Sequence, residues 1–310
     1  VNAAVAPAKV VIEPDIDIYG KYIRVSALAD YLEIAALADR RVTEASLADI
    51  IVDNEWVRRP TRQFIHPENV DEDPGELSKN VFNLLRERQA VLGDTYPFEQ
   101  AGKALRRRSG GPDPVACRYT ALLALTAVHA WKIPSEADPE PTLEQVVMSV
   151  LSELGLTAVN IGATDRGSGF KDAVVQGGQA LGLQPMDDPM PRSVRAKDSG
   201  VDTLAGAVWR DGRPGGQWVF IGQVTVAKSS AWKDKLAEPE PPRWAKFLQE
   251  PLHPQAFLAV PYHVETDFLR ELLVSQRGAV LDRLRLVSRK AENTEPEVTL
   301  IKSLLECPVA

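Results

Sequence analysis

Two strand-like runs, GVDTLAGAVW at 200–209 and GQWVFIGQVTV at 216–226, flank the turn DGRPGG. Asp, Gly and Pro supply the tight bend that joins adjacent antiparallel strands. The second half of the chain must therefore build a sheet around this hairpin. Mirror symmetry about Gly212 and Arg213 sets Asp202 opposite Gln223. Residues directly opposite share a face, with Cβ atoms about 4.5–5.5 Å apart. Thr225 lies two residues beyond Gln223 and falls on that face too, as do Leu204, Val208, Val219 and Ile221. One face is thus apolar along most of its length and turns polar at Asp202, Gln223 and Thr225.

At 310 residues the chain is long for one domain, and a seam divides it. The stretch KIPSEADPEPT at 132–142 gathers prolines and acidic residues, which favour a solvated connector. The sequence predicts a mainly helical domain over 1–131, a linker over 132–141 and an α/β domain over 142–310. In the first part VSALADYLEIAALADRR, TEASLADIIVDNEW (capped by Thr43), SKNVFNLLRERQAVLG (capped by Ser78, stopped by Gly93) and PVACRYTALLALTAVHAW read as helices. YPFEQAGKALRRRSGGPDP is a loop or short hairpin carrying Arg106, Arg107 and Arg108, either a solvated turn or a phosphate contact. RRVTEASLADIIVDNEW weakly matches a helix-turn-helix. In the second part TLEQVVMSVLSELG is a helix capped by Thr142 and stopped by Gly155. A strand LTAVNIGA, a helix GFKDAVVQGGQALGL and the hairpin follow it. SAWKDKLAEPEPPRWAKFLQ begins helical and is broken by its prolines. Strand QAFLAVPYHV, helix DFLRELLVSQRG and a closing strand or helix AVLDRLRLVSRK complete the order.

Composition narrows the chemistry. A hydrophobic share of 44% with 25% charged residues provides an ordinary globular core, and the net charge of -7 gives no global footprint for nucleic acid. A local basic groove stays compatible with that balance. Cys117 and Cys307 are the only cysteines, which excludes a cysteine zinc site and fits a reduced, cytoplasmic setting. VNAAVAPAKVVIEPD does not read as a signal peptide, and YTALLALTAVHAW is too short to span a bilayer. His66, His129, His253 and His263 lack zinc spacing, and His129 reads as a core residue. GSG at 167–169 is not a nucleophile elbow, and no phosphate-binding GxxxxGK[ST] loop occurs. If the chain works with ATP, a separate ATPase or sensor protein supplies it. Asp165 and Asp172 read as surface residues, Trp232 and Trp244 as core.

A carboxylate and an amide oxygen at the polar end of a hairpin can hold a hard divalent cation such as Mg²⁺ (or Mn²⁺), which keeps several waters and needs few protein oxygens. The carbonyl of Val224 can add another. D-x-G-V-D, a hairpin and an apolar run ending in Q-x-T resemble a variant of the PD-(D/E)xK nuclease signature. The form is closest to that of methylated-DNA restriction endonucleases of the Mrr kind, where an aspartate strand is followed by Q-x-K. The resemblance covers roughly residues 142 to 265 and implies a restriction-endonuclease-like mixed sheet flanked by helices. It also implies cleavage of DNA phosphodiester bonds in a bacterial restriction or anti-phage setting. Carried onto this chain, it makes Asp202 the metal-binding aspartate, Gln223 the second ligand, and Glu144 the accessory acid with Glu153 as alternative. The sequence departs from the pattern at Thr225, where a lysine is expected. Lys228, Lys233 and Lys235 follow closely, and Lys235, on the helix after the hairpin, is the favoured substitute with Lys228 beside it. Read without the resemblance, Asp198 and Asp202 suit an ordinary strand start. A catalytically silent adaptor that binds DNA or a partner protein in a defence complex also fits, and homo-oligomerisation stays open.

Overall fold

The computed structural model describes residues 23–56, 73–162, 169–188, 200–209, 211–213, 215–287 and 292–307. The chain divides into two units, Val1–Glu136 with Asn293–Ala310, and Ala137–Glu292.

The first unit is mainly helical with a small sheet. It opens with α1 (Arg24–Leu37), β1 (Val42–Thr43), α2 (Glu44–Asp53) and α3 (Pro74–Leu92), followed by β2 (Phe98–Ala101), β3 (Ala104–Arg107) and α4 (Arg118–Ala130). Thr43 caps α2 as its sequence signals, in a reciprocal box with Ser46. Gly93 ends α3 at a φ of 55°. Ser78 is not the cap of α3: Asp73 caps it through the Gly75 N–H, with Pro74 at the first turn. Ser78 lies buried inside the helix and donates to the Glu44 carbonyl. The two-residue β1 pairs with β3, giving the sheet order β1-β3-β2. This strand separates α1 from α2, where a helix-turn-helix needs a plain turn.

α1 buries every residue but Val25, so its polar side chains need partners inside the unit. Arg88 of α3 supplies them, with Nη1 2.8 Å from both Asp30 and Glu33. Glu33 also accepts from the hydroxyls of Tyr96 and Tyr119. Burial, with the Glu33 charge beside it, holds the Tyr96 phenol well above its ordinary range.

The second unit begins with α5 (Pro139–Glu153), β4 (Thr157–Asn160), α6 (Phe170–Ala180), β5 (Thr203–Ala207) and β6 (Trp218–Val224). It continues through α7 (Trp232–Ala237), α8 (Pro241–Phe247), β7 (Gln255–Ala259), α9 (Thr266–Gln276), β8 (Ala279–Leu281) and α10 (Arg283–Leu286). α5 starts three residues before Thr142, because Asp138 caps it through the Glu140 N–H and Pro139 suits a first helical position. The expected linker is thus partly helix. The sheet order is β4-β5-β6-β7-β8; β4, β5 and β6 are antiparallel neighbours, whereas β7 joins β6 in parallel and β8 joins β7 in parallel. This is a mixed α/β fold. Leu204, Val219 and Ile221 share a core cluster with Val174 of α6 and Trp244 and Phe247 of α8. Trp232 and Trp244 are fully buried, as read from the sequence.

The expected domain over 142–310 needs a correction at its end. The last helix, α11 (Glu295–Glu306), packs on α4 and belongs to the first unit. Arg118 and Glu297 hold it there as a buried ion pair at 3.1 Å, and Asn293 donates to the Val115 carbonyl.

Candidate metal site at the sheet edge

The hairpin forms in the register that its symmetry dictates, from Ala207 opposite Trp218 to Thr203 opposite Gly222. Asp202 and Gln223, expected to face each other as the next rung, lie beyond the last pair and are not opposed in the ladder. There the ladder steps: the Asp202 N–H donates to the Gly222 carbonyl at 2.8 Å, although Thr203 is the residue opposite Gly222. A local irregularity of this kind re-aims the side chain beside it. The Asp202 carboxylate turns onto the neighbouring strand, where Oδ2 accepts from the Val224 N–H at 2.7 Å.

β4, β5 and β6 bring their ends to one edge of the sheet, because the antiparallel neighbours place the start of β5 beside the ends of the other two. Ile161 and Gly162, just past β4, both donate backbone N–H groups to the Asp202 carbonyl, at 2.8 and 3.0 Å. Gly162 leaves little room: a Cβ there would stand 3.2 Å from Asp202 Oδ1 and 3.4 Å from Asn160 Oδ1. These two oxygens therefore crowd one point. Asn160 Nδ2 in turn donates to Glu144 of α5. Partial burial, together with Glu140 and Asp138 on the same stretch of chain, raises the Glu144 carboxyl above its ordinary range, while the bond from Asn160 opposes the rise.

Gln223 is buried, 4% exposed. With the Asp202 carboxylate, the Val224 carbonyl and Glu144 behind Asn160, the edge is rich in hard oxygen donors, the type that Mg²⁺ and Mn²⁺ prefer. The residues present therefore fit such a cation. Among the described residues, no three His, Cys, Asp or Glu side chains gather as a metal cluster. The oxygen set here has two carboxylates only, the rest being amide and carbonyl.

The position where the nuclease pattern has lysine is occupied by a residue that shapes the chain. Thr225 Oγ1 accepts from the Ala227 N–H at 3.1 Å, closing a tight turn after β6. Tyr262 donates to the Val226 carbonyl and the Trp232 indole donates to the Ala227 carbonyl, so residues 225–228 are pinned from three sides. Lys228 emerges from this pinned turn exposed, with no ion pair to a described residue. Lys235 pairs instead with Glu238 at 3.0 Å, one helical turn on, and Lys233 pairs with Glu271 of α9. Lys235, expected to reach toward the cluster, is thus engaged by the carboxylate that follows α7.

The remaining candidates lie on other elements. In the first unit Arg106 pairs with Glu99 across the β2–β3 hairpin, and Arg108 pairs with Asp94 and the Gly93 carbonyl. Arg107 is exposed opposite Phe98. Local partners thus absorb two of the three cations. Glu153 is the last residue of α5, about two and a half turns from Glu144, while Asp172 is exposed in the first turn of α6. Asp165 and Asp198 lie outside the described residues. Asn160 escaped the sequence reading; the signal was a polar residue ending a short apolar strand just before a glycine.

Comparison with protein-family models, curated proteins and solved structures finds no match to this chain. No helix among the described residues is long and apolar enough to cross a membrane.

Proposed function

We propose that the second unit is a restriction-endonuclease-like module that cleaves DNA phosphodiester bonds with Mg²⁺ or Mn²⁺. The observation that carries this reading is the chain of contacts that runs from Glu144 through Asn160 and Gly162 to Asp202, whose carboxylate accepts from the Val224 N–H. The order of elements supports it: a leading helix with an acid, an antiparallel strand and hairpin, a helix, then a parallel strand is the order that the resemblance implies. In this reading Asp202, Gln223 and the Val224 carbonyl hold the cation, and Glu144 is the accessory acid. A bound cation would neutralise phosphate charge and lower the pKa of a water.

The chain's own contribution is geometric. The Val224 N–H fixes the Asp202 carboxylate, so that it does not swing as a surface aspartate would. Lys228 follows the pinned turn after β6 and is exposed, and in this reading its ammonium offsets phosphate charge. Lys228 therefore takes the supporting role first given to Lys235. By the same resemblance, the setting is a bacterial restriction or anti-phage system, with a separate ATPase or sensor protein as partner and the cytoplasm as compartment.

A second reading has its own support. Thr225 replaces the lysine, and Lys233 and Lys235 are both engaged by glutamates, which suits an adaptor that binds DNA or a partner without cutting it. Incubation with supercoiled, linear, methylated and unmethylated DNA in Mg²⁺ or Mn²⁺ separates the two. Cleavage that is lost in Asp202→Asn and Gln223→Ala and falls at least tenfold in Lys228→Ala supports the nuclease. DNA retention without cleavage by the wild type under every condition selects the adaptor.

A further inference from the structure

The end of β4 holds a side chain to which the nuclease pattern gives no part. Asn160 is the last residue of β4 and lies on the solvent-facing rim, yet both ends of its amide are committed. Nδ2 donates to Glu144, and Oδ1 accepts from the Gly162 N–H at 2.9 Å. Chemistry allows one orientation only, since a backbone N–H must meet the oxygen and a carboxylate must meet the NH₂ group. Gly162 is the same residue whose N–H reaches the Asp202 carbonyl, and whose α-carbon faces both Asp202 Oδ1 and Asn160 Oδ1. Asn160 therefore stands between Glu144 on the helix and Asp202 on the strand.

A second observation concerns the residue across the ladder. Thr203 is the register partner of Asn160, so the two side chains share a face. The Thr203 hydroxyl is fully buried and has no hydrogen-bond partner among the described residues. A hydroxyl in this state marks a polar position beside Asn160 that the protein itself does not fill. The charges acting on Glu144 come from Glu140 and Asp138, on its own stretch of chain. Its connection to the Asp202 end runs through Asn160.

We propose that Asn160 is a positioning residue that orients Glu144 toward the Asp202 end of a divalent-cation site. This rests on the nuclease reading but assigns a residue which that reading leaves out. Partners that orient ligands commonly matter to metal affinity by about 10- to 100-fold when removed. The Asn160 amide does this by steering one carboxylate oxygen and by bracing the Gly162 turn on which the Asp202 carbonyl also depends.

The test is direct Mn²⁺ binding to the full chain, read from the loss of the free Mn²⁺ resonance and thus independent of cleavage. Asn160→Ala and Glu144→Ala are each expected to weaken binding by about 10- to 100-fold. The double variant should be no weaker than the worse single one, because residues acting in one chain of contacts are not additive. Losses that multiply in the double variant, or unchanged binding by Asn160→Ala, overturn the proposal. Asn160→Asp keeps an oxygen for the Gly162 N–H while setting an acceptor against Glu144, and it covers the case in which the alanine variant fails to fold. It should lose as much as alanine does; tighter binding would make Asn160 a ligand and overturn the positioning role. If Asp202→Asn abolishes Mn²⁺ binding while both Asn160 variants bind normally, the nuclease reading survives and this proposal falls. If the wild type does not bind Mn²⁺ at all, both fall together.

Discussion

Asp202 has two jobs that can be separated at the level of single atoms. As an acceptor for the Val224 N–H it closes the sheet edge, and as a carboxylate it carries charge. Asp202→Asn keeps an oxygen for that N–H, whereas Asp202→Ala leaves the donor without it, at a cost of about 1–3 kcal/mol. Chemical denaturation should thus place the asparagine variant near the wild type and the alanine variant clearly below. Equal losses would mean that the carboxylate does not serve the backbone. Glu144 makes a pH-dependent contribution of definite sign. Its raised carboxyl means that the folded chain holds the proton more tightly than the unfolded chain. Well below the ordinary glutamate value of about 4.3 both states are protonated and no difference arises. As pH rises from there through the raised value, stability is lost, and above it the loss is constant. Glu144→Gln still offers Asn160 an oxygen but carries no charge. Its melting temperature should gain on the wild type between pH 4 and pH 7, and an unchanged gap would refute this account. The polar interruptions Asp202 and Gln223 were legible because they break a strict alternation. Asn160 was not, since one polar residue ending a strand is ordinary and its meaning depends on Glu144, 16 positions away.

At the scale of elements, local chemistry wrote the hairpin's register as far as Thr203 and Gly222. Its register follows from the turn, and the positive φ of Gly212, Gly215 and Gly216 shows why those residues populate the bend. What the turn does not specify is the neighbour on the other side. Gly222 lies opposite Phe257 of β7 in the parallel register, and a Cβ at Gly222 would stand 2.0 Å from the Phe257 ring. The ring lies over the glycine, so the strand that carries Gln223 and Val224 is positioned partly by this contact. Gly222→Ala is expected to cost at least about 1–3 kcal/mol through overpacking. Pairing it with Phe257→Leu should recover part of the loss, which denaturation of the single and double variants would reveal. Losses that simply add would show that the ring is not the obstacle. The helix starts illustrate a related limit. Thr43, Ser78 and Thr142 all resemble caps in sequence, but only Thr43 serves as one through its side chain at a helix start. The other two are preceded by an Asp-Pro pair, and aspartate before a proline in the first turn is the stronger start.

For the whole molecule, the decisive contacts are those that link distant stretches of chain, and these are the ones that periodicity does not report. The proline-rich seam was legible from composition, and the division between the units does fall within it, after Glu136. The return of α11 to the first unit was not, because an amphipathic helix after an α/β segment carries no label for the surface that it will cover. Its address is written in one buried pair. Arg118, 3% exposed at the start of α4, meets Glu297, 1% exposed in α11, across 179 positions of sequence. Glu297 also accepts from the N–H and hydroxyl of Thr294, so a single carboxylate both starts the helix and docks it. Removing one partner of a buried pair commonly costs about 3–5 kcal/mol, since the other charge keeps its desolvation without its counter-ion. Glu297→Ala should therefore destabilise the first unit by that order, and Glu297→Gln, which retains an acceptor, by less. The location of the loss is the sharper expectation. Hydrogen exchange should accelerate in α4 and α11 while the amides of β5 and β6 in the second unit keep their protection. Uniform acceleration across both units would instead mean that the chain unfolds as one cooperative body, and that the two units defined by their internal contacts are not separate in stability.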